Sequence, residues 1–390
     1  MNLATAYEIT SHALEHPIST WLDYSPKNTP LVLFDDKDFI FLNHPDPPAK
    51  RPDILNDRVG TAAEINGVLT ATIPAEMCGD EKTLVPLLYH ECFHVYQNRR
   101  FKFEGNYDFF EVLSFYPELD AAYRALCSAE TEILSDQGLS AADKARRLSA
   151  VVKRRRQILA LRDGLLDFED RLERLEGTAS YVDQKVSLRL FGKSPNNSSC
   201  CYGFSRQYFV GADLCWLFER MFPAGEWQGK IEGGLSLSEL LLEMALPEYD
   251  VSSLGLEAKE RRENQEVAEV LSGVREKIEC LRKNGALTIQ LPSKIDVFRS
   301  FNPGAIVSFG DGRLVHLEFV TIQIPNGSIS IKGGIALEDY TNKTVTLPST
   351  ACDIKNNRLD ICTENVKVSL ANVARRTDGT IEVLQDHEAS

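Results

Sequence analysis

The hydrophobic periodicity of the chain changes near Gly285, and this change restricts the fold more than any other feature of the sequence. From Thr83 to about Lys283, apolar residues recur at intervals of three and four, which is typical of amphipathic helices. After Gly285 apolar and polar residues alternate, and Pro325-Asn326-Gly327 separates two such runs, as expected for strands joined in a hairpin. The sequence therefore predicts an α+β fold, in which a mostly helical part precedes a C-terminal all-β part, either a sandwich or a partly open barrel.

The first 80 residues combine a short helix with segments that favour strands. The runs PLVLF and DFIFLN flank Asp35-Asp36-Lys37 and predict a hairpin, whereas the prolines of residues 45–53 indicate a loop. NGVLTATIPAEM predicts a further strand behind an Asn66-Gly67 turn. We therefore expect a small N-terminal sheet beside the helices. The expected organisation is a helical domain with this sheet at 1–256, a charged connecting helix at 257–285 and an all-β accessory domain at 286–390.

Composition and charge exclude several classes of function. The 390 residues are 43% hydrophobic and 26% charged, as in an ordinary globular protein of about two domains. The net charge of −14 argues against a nucleic-acid partner, because surfaces that bind phosphates are basic. The basic run Lys153-Arg154-Arg155-Arg156 lies between acidic stretches, and we expect it to form a solvated helix face. No run of about 18 apolar residues occurs, so we expect neither a transmembrane helix nor a membrane partner.

The cysteines and the N-terminal segment indicate a cytoplasmic protein. The first residues lack the basic region and apolar core of a secretory signal. The nine cysteines follow no CxxC spacing, and scattered thiols of this kind are mostly small buried hydrophobes in a reducing compartment. They are Cys78, Cys92, Cys127, Cys200, Cys201, Cys215, Cys280, Cys352 and Cys362.

One helix-forming segment, LVPLLYHECFHVYQNRRF, places two histidines four residues apart with a glutamate after the first. On a helix, His90 and His94 lie on one face about 5–6 Å apart, so both can reach one metal ion. Glu91 is rotated about a quarter turn from His90, beside the open position of such an ion, where it can accept a proton from water. This is the chemistry of the HExxH pattern in zinc hydrolases. The alternative is a pair of core histidines satisfied by hydrogen bonds. We expect Thr83 to cap this helix.

A zinc hydrolase site has three protein ligands and one open position. In the metzincin pattern a glycine and a third histidine would follow, but Gln97 and Arg100 occupy these positions. No histidine occurs between His94 and His316, which favours a carboxylate as the third ligand. Glu176 is the candidate, because the small residues that follow it in RLEGTASYVDQK allow its helix to approach the histidine helix closely.

At these residues the sequence resembles the gluzincin zinc metallopeptidases, in which a separate helix carrying E-G-x-A-x-Y follows HExxH. Residues 176–181, EGTASY, match every fixed position. The resemblance covers about residues 60–225 and implies that His90, His94 and Glu176 bind zinc and that Glu91 is the general base. The helical pair between the two motifs would then be an inserted hairpin.

Several acidic residues near Glu176 are alternatives for the third ligand or candidates for orienting a histidine. Glu173, one turn earlier, is the nearest alternative ligand, whereas Glu169 and Asp170 are expected on a solvated face. Related proteins often place an acid four residues after the ligand glutamate to orient a histidine. Ser180 stands there in this chain, and Asp183, one turn further, is the substitute candidate.

Tyr208-Phe209-Val210-Gly211 resembles the Tyr-x-x-Gly helix start that follows the ligand helix in related families. The resemblance implies that Tyr208 stabilises the oxyanion of the transition state, although a core tyrosine fits the pattern equally well. Tyr202 and Arg206 are further candidates for this role. The strand in NGVLTATIPA is either an edge that binds an extended substrate or a plain core strand.

Taken together, these features predict a zinc-dependent metallopeptidase that acts on a peptide or protein substrate. The aminopeptidase signature Gly-x-Met-Glu-Asn is missing, so nothing predicts specificity for an N-terminus. One alternative is a weakly active or inactive zinc-binding protein of peptidase ancestry that binds a partner through its β domain. Another is a zinc hydrolase with a non-peptide substrate. The sequence carries no indication of the oligomeric state.

Overall fold

Helices form most of the chain up to Lys283, and strands form the rest, so the predicted α+β order is confirmed. The computed structural model describes residues 1–57, 60–103, 108–193, 202–203, 205–292, 297–348 and 353–384. The helices are α1 (Leu3–Glu15), α2 (Glu81–Arg100), α3 (Phe109–Ser114), α4 (Ala121–Ser135), α5 (Ala141–Leu159), α6 (Leu165–Leu172), α7 (Thr178–Phe191), α8 (Arg206–Met221), α9 (Glu226–Glu232), α10 (Leu237–Glu243) and α11 (Leu256–Lys283). The N-terminal strands are β1 (Leu31–Phe34), β2 (Phe39–Leu42), β3 (Thr61–Ile65) and β4 (Val68–Pro74).

The C-terminal strands form two sheets. They are β5 (Ala286–Gln290), β6 (Phe298–Phe301), β7 (Ile306–Ser308), β8 (Arg313–His316), β9 (Phe319–Ile324), β10 (Gly327–Lys332), β11 (Ala336–Asp339), β12 (Thr344–Pro348), β13 (Ile354–Lys355), β14 (Arg358–Cys362), β15 (Val366–Ala371), β16 (Val373–Arg375) and β17 (Ile381–Val383). One sheet has the order β13-β14-β15-β10-β9-β6, and the other has the order β16-β17-β5-β12-β11-β8-β7. Apolar residues of both sheets share one core cluster, as in a sandwich. β9 and β10 form the predicted hairpin.

The N-terminal sheet has the order β2-β1-β4-β3 and packs against α1 and α2. β1 and β2 form the predicted hairpin. β3 and β4 are joined by Asn66 and Gly67, whose φ angles of 47° and 72° suit a tight hairpin turn. β4 pairs with strands on both sides, so the alternative that it is an edge strand is wrong. The edge strands are β2 and β3, and the sequence analysis did not predict β3.

α2 carries the two histidines and lies between the N-terminal sheet and α7. Its N-cap is Asp80 rather than Thr83, because the Asp80 carboxylate accepts the Thr83 amide at 3.0 Å and the Thr83 hydroxyl accepts the Asp80 amide at 3.2 Å. Pro86 therefore lies in the second turn of the helix, where it removes one helical hydrogen bond. The apolar face of α2, which includes Leu84 and Leu88, enters the largest core cluster.

α4 and α5 are neighbouring helices that pack against each other, as expected for an inserted helical pair. The basic run at the end of α5 is only partly solvated, because Lys153 and Arg154 are exposed whereas Arg155 is fully buried. The prediction of a solvated face is therefore wrong at Arg155. Its guanidinium contacts carboxylates of α4 and α6 instead.

The β sheets pack directly on the helices. Ile306, Leu314 and Tyr340 belong to a core cluster whose other members come from α3 to α6 and the segments beside them. Val274 and Ile278 of the charged helix α11 contact the same β sheet. The C-terminal sheets are thus held to the helical part by apolar burial on two sides.

Membrane-spanning helices and the cysteines are the next features of the described residues. Within the described ranges, no helix combines the length and apolar character that a membrane crossing requires. Cys200, Cys201 and Cys352 fall outside the described residues. Among the cysteines that are described, Cys78, Cys92, Cys127, Cys215, Cys280 and Cys362 carry free thiols, and only the last two are exposed.

Candidate metal site

His90, His94 and Glu176 converge on one point between α2 and the start of α7. Their ligand atoms all lie within 4.8 Å of one another. His90 Nε2 and His94 Nε2 are 3.5 and 3.6 Å from Glu176 Oε2. Four ligands placed tetrahedrally about 2.0–2.1 Å from a metal ion are about 3.4 Å apart, so the distances from both imidazole nitrogens to Glu176 Oε2 are compatible with binding of a common metal ion.

Both imidazoles are oriented by a hydrogen bond on the nitrogen that faces away from Glu176. His90 Nδ1 lies 3.0 Å from Asp183 Oδ2, and His94 Nδ1 lies 2.7 Å from Gln97 Oε1. These partners leave each Nε2 directed at the common point. Glu176 Oε2 is buried there without a hydrogen-bond partner among the described residues. A buried, unpaired carboxylate oxygen is costly, and a bound cation would satisfy it.

The ionisation of the three residues reflects their burial and their mutual contacts. Burial lowers the pKa of His94, which favours the neutral imidazole that binds metal ions. Burial alone would raise the pKa of Glu176, but its interactions with His94, His90 and Tyr208 lower it below the usual value. Burial opposes the charged form of His90 as well, but its contacts with Asp183, Glu176 and Glu91 raise its pKa well above the usual value. At neutral pH the site therefore offers a neutral imidazole at His94 and a carboxylate at Glu176.

Gln97 is a site residue that the sequence analysis missed. Its amide nitrogen donates to the carbonyl oxygens of Arg174 and Leu175 at 3.0 and 2.8 Å and to the Thr178 hydroxyl at 2.7 Å, while its oxygen holds His94. The Gln97 side chain thus joins α2 to the segment that carries Glu176 and to the start of α7. The available signal was a polar side chain three residues after His94, on the face of α2 that packs against another helix.

Glu176 belongs to a single turn of π-helix, Glu173–Gly177, inserted between α6 and α7. Such turns are rare and frequently occur at functional sites, because the extra residue leaves backbone groups free for other partners. Here Gln97 binds two carbonyl groups of this turn. The π-turn therefore presents Glu176 to the histidines while its backbone is held from α2.

Glu173, the competing ligand, points elsewhere. Its carboxylate accepts the Ser238 amide at 2.9 Å and the Ser238 hydroxyl at 2.6 Å, and Arg155 Nη2 lies 3.5 Å away. Glu169 is also fully buried, and it pairs with Arg155 and accepts the Tyr123 hydroxyl at 2.9 Å. The prediction that Glu169 lies on a solvated face is therefore wrong. Both glutamates belong to a buried ion network behind the π-turn.

Glu91 is buried beside the two histidines and faces the same cavity. Burial raises its pKa to about 8, and the neighbouring His90 only partly opposes this rise. Its Oε2 has no hydrogen-bond partner within the described part of the chain. A Cβ on Gly60 would lie 2.7 Å from Glu91 Oε1, so a larger residue where the chain enters β3 would displace this carboxylate from its present position. A carboxyl group tuned in this way is suited to exchange protons near neutral pH.

Tyr208 lies near the start of α8 and faces the three candidate ligands. Its ring is parallel to the His90 ring, with centroids 6.1 Å apart, and its hydroxyl hydrogen-bonds the Glu176 carboxylate. Tyr202 instead donates to Glu263 at 2.9 Å, and Arg206 is buried against Glu130. Of the three candidates for oxyanion stabilisation, Tyr208 is the one that lines the cavity formed by described residues.

A cavity of about 800 Å³ opens in front of these residues, between the helical part and the β sheets. Its floor contains Glu91, Tyr208 and the three candidate ligands. Its walls include residues 60–64, which contain most of β3, and residues 298–301, which form β6. The cavity is therefore shared by elements from both parts of the chain.

Comparisons with protein-family models, curated proteins and solved structures found no match to this chain.

Proposed function

We propose that this protein is a zinc-dependent metallopeptidase of the gluzincin type, with a zincin-like fold in residues 1–256. The observation that carries the proposal is the convergence of His90, His94 and Glu176, with Glu91 beside them, at the floor of a large open cavity. The Oε2 atoms of Glu176 and Glu91 support it, because both are buried beside the cavity and have no hydrogen-bond partner among the residues that the structure describes. A pair of core histidines satisfied by hydrogen bonds would not require these two buried carboxylate oxygens beside it.

The proposed chemistry assigns each residue a role. Zinc, when held by the two Nε2 atoms and Glu176, supplies a Lewis acid that activates water and polarises the scissile carbonyl group. Glu91 accepts the proton of the attacking water and passes it to the leaving amine. The Tyr208 hydroxyl donates a hydrogen bond to the oxyanion that develops on the carbonyl.

Asp183 and Gln97 have supporting roles in this scheme. Each accepts a hydrogen bond from the Nδ1–H of one histidine, which fixes the tautomer and the ring orientation that metal binding requires. The six free thiols among the described cysteines support a cytoplasmic setting as part of the proposal, because a reducing compartment preserves them.

The edge of β3 supports a peptide substrate. The strand pairs only with β4 among the described residues, and its other edge adjoins the cavity. An exposed sheet edge binds an extended peptide through backbone hydrogen bonds, with little dependence on sequence. A small non-peptide substrate would not use such an edge.

The direct test is zinc-dependent turnover of a broad peptide library by the full chain and by Glu91→Gln. We expect the wild type to lose activity when a chelator removes zinc, and Glu91→Gln to bind zinc while losing at least about 1,000-fold in kcat. Glu81→Gln, an exposed position on the same helix, is the matched control and should retain full activity.

Full activity in Glu91→Gln would overturn the mechanism. Bound zinc without turnover of any peptide would support a partner-binding protein of peptidase ancestry instead. Hydrolysis confined to non-peptide esters or amides would change the substrate class and leave the roles of the residues intact.

A further inference from the structure

Two sheet edges from different parts of the chain adjoin the same cavity. β3 is the last strand of the N-terminal sheet, and β6 is the last strand of the six-stranded C-terminal sheet. Within the described ranges, β3 pairs only with β4, and β6 pairs only with β9. Each strand therefore has one edge whose backbone groups are not used by its own sheet.

The cavity lining shows that these free edges, rather than the faces of the strands, border the open space. Successive side chains of a strand point to opposite faces, so a cavity against one face would be lined by alternate residues. The lining instead contains the consecutive residues 60–64 around β3 and all four residues, 298–301, of β6. Both strands thus present their backbone edges to the cavity.

The cavity has room for one additional strand of about the length of β3 or β6. An extended chain inside a sheet occupies about 3.3 Å along the strand, about 4.8 Å between strands and about 10 Å across the sheet, or about 160 Å³ per residue. A cavity of about 800 Å³ therefore holds about five residues. β3 has five residues and β6 has four.

β6 is held firmly in place. Arg299 Nε donates to Glu338 Oε2 of β11 at 2.9 Å, and the Phe301 ring packs edge-on against Phe110 of α3 with centroids 5.1 Å apart. One contact joins β6 to the second C-terminal sheet, and the other joins it to the helical part. The edge is therefore a preorganised wall of the cavity, and little ordering is needed when a ligand binds.

The free edge of β6 lies beside an exposed aromatic side chain. β6 has no proline, and its one charged side chain, Arg299, is buried against Glu338. Phe298 is left 45% exposed at the rim of the cavity. A free backbone edge beside an exposed aromatic ring is a typical docking site for an extended chain.

We propose that the C-terminal β domain supplies a second substrate-binding edge, so that an extended polypeptide segment of about five residues binds as a strand between β3 and β6. This inference rests on the proposed peptidase function and specifies its substrate class as unfolded or extended segments. Such a strand would join the N-terminal sheet and the six-stranded sheet. Phe298 would contact one of its apolar side chains.

Binding between two edges makes a distinctive prediction about the substrate backbone. In a strand, the N–H and C=O groups of successive residues point to alternate sides. A peptide bound by β3 alone uses the backbone of every second residue, whereas a peptide bound by both edges uses every residue. Methylation of single peptide nitrogens distinguishes these cases because it removes one donor at a time.

The test uses zinc-loaded Glu91→Gln and a hexapeptide hydroxamate, whose chelating group anchors the probe at the zinc. A series with one N-methyl group at each successive position is compared by dissociation constant. We expect about a 3- to 10-fold loss at each of four consecutive positions, the range expected for one net hydrogen bond. Losses confined to alternate positions would overturn the proposal, and so would a failure of the peptide portion to add to hydroxamate binding.

Amide hydrogen exchange of the complex supplies an independent readout. The probe should slow exchange in both β3 and β6, and protection of β3 alone would also overturn the second edge. Cleavage of peptides with protection of β3 alone would leave the proposed function intact and reject the second edge. Protection of both edges without zinc-dependent cleavage by the wild type would support the second edge and reject the proposed peptidase function.

Phe298→Ala tests the rim of the proposed site. The variant should raise KM for a cleaved peptide about tenfold with kcat little changed, because one aromatic side chain loses its apolar contact with the substrate. Leu161→Ala is the control, since Leu161 is 85% exposed and does not line the cavity. Equal KM values for Phe298→Ala and the wild type would contradict the proposal.

Discussion

Gly177 and Gly211 lie against each other where the π-turn before α7 meets α8. A Cβ on Gly177 would be 2.7 Å from Gly211 Cα, and a Cβ on Gly211 would be 2.5 Å from Gly177 Cα. Neither position can carry a side chain unless the two backbones separate. Glu176 precedes one glycine, and Tyr208 lies three residues before the other. The contact therefore sets how closely these two side chains approach.

Gly177→Ala should lower the free energy of unfolding by about 1–3 kcal/mol and weaken zinc binding, because the added methyl group displaces the backbone beside Glu176. Denaturant unfolding and chelator competition measure the two effects. Gly273→Ala in α11 is the control, since a Cβ there meets no atom within 4 Å. That change should stabilise the protein by about 0.5–1 kcal/mol. Similar results for both variants would contradict the role of the contact.

Substitution of Glu176 should mainly change zinc affinity, whereas substitution of Glu173 should mainly change the free energy of unfolding. Glu176→Gln removes the proposed ligand and should weaken zinc affinity more than about 100-fold, beyond the effect of an outer hydrogen-bond partner. Glu173→Gln should change zinc affinity only a few-fold but lower the free energy of unfolding by about 1–3 kcal/mol, because it disturbs buried bonds to Ser238 and Arg155. Chelator competition and denaturant unfolding on both variants check this. The reverse pattern would make Glu173 the ligand.

Asp183 and Gln97 should affect zinc binding through the histidines they orient. Asp183→Ala and Gln97→Ala should each weaken zinc affinity about 10- to 100-fold. Gln184→Ala is a suitable control on α7, because its side chain binds Trp216 at 2.8 Å and not a histidine. Isothermal titration of the metal-free proteins with zinc measures these affinities. A loss in Gln184→Ala as large as the others would indicate a general structural effect.

Arg155 should be essential for the buried ion network. It contacts Glu130, Glu169 and Glu173, and Arg155→Met would leave these buried carboxylates without their main partner. We expect the free energy of unfolding to fall by about 3–5 kcal/mol. Arg154→Met, at the exposed neighbouring position, should change it by less than about 0.5 kcal/mol. Denaturant midpoints of the two variants provide the comparison, and equal midpoints would refute the role of the network.

Glu338 predicts a pH dependence of stability in the β domain. Burial alone would raise its pKa, but Arg299 and the hydrogen bond from His316 lower it to about 2. Because the folded pKa lies below the unfolded value of about 4.3, the ionised carboxylate stabilises the fold above that pH, and this stabilisation is lost as the pH falls toward 2. Its full size is about 3 kcal/mol.

The test of this prediction compares the wild type with Glu338→Gln. The difference in their free energies of unfolding should be about 1.5 kcal/mol smaller at pH 3 than at pH 5. Denaturant unfolding at the two pH values measures it. A difference that does not change with pH would show that the carboxylate titrates alike in the folded and unfolded states.

Features that depend on neighbouring residues could be predicted from the sequence. The change of periodicity near Gly285 sets the order of helices and strands, and the spacing of His90 and His94 sets their common face on α2. Helical and strand periods are local, so they can be read from a short window of residues. β3 escaped this reading because TAAEI has no clear alternation and only one β-branched residue at each end.

Contacts that distinguish similar residues follow from the tertiary structure and could not be predicted from the sequence. Glu173 and Glu176 lie one turn apart on the same segment, yet Ser238 and Arg155 engage the first, while the second faces the two histidines. Arg155 likewise differs from exposed Arg154 only in what packs over it. These outcomes depend on contacts between residues distant in sequence, and such contacts leave no periodic trace in the chain.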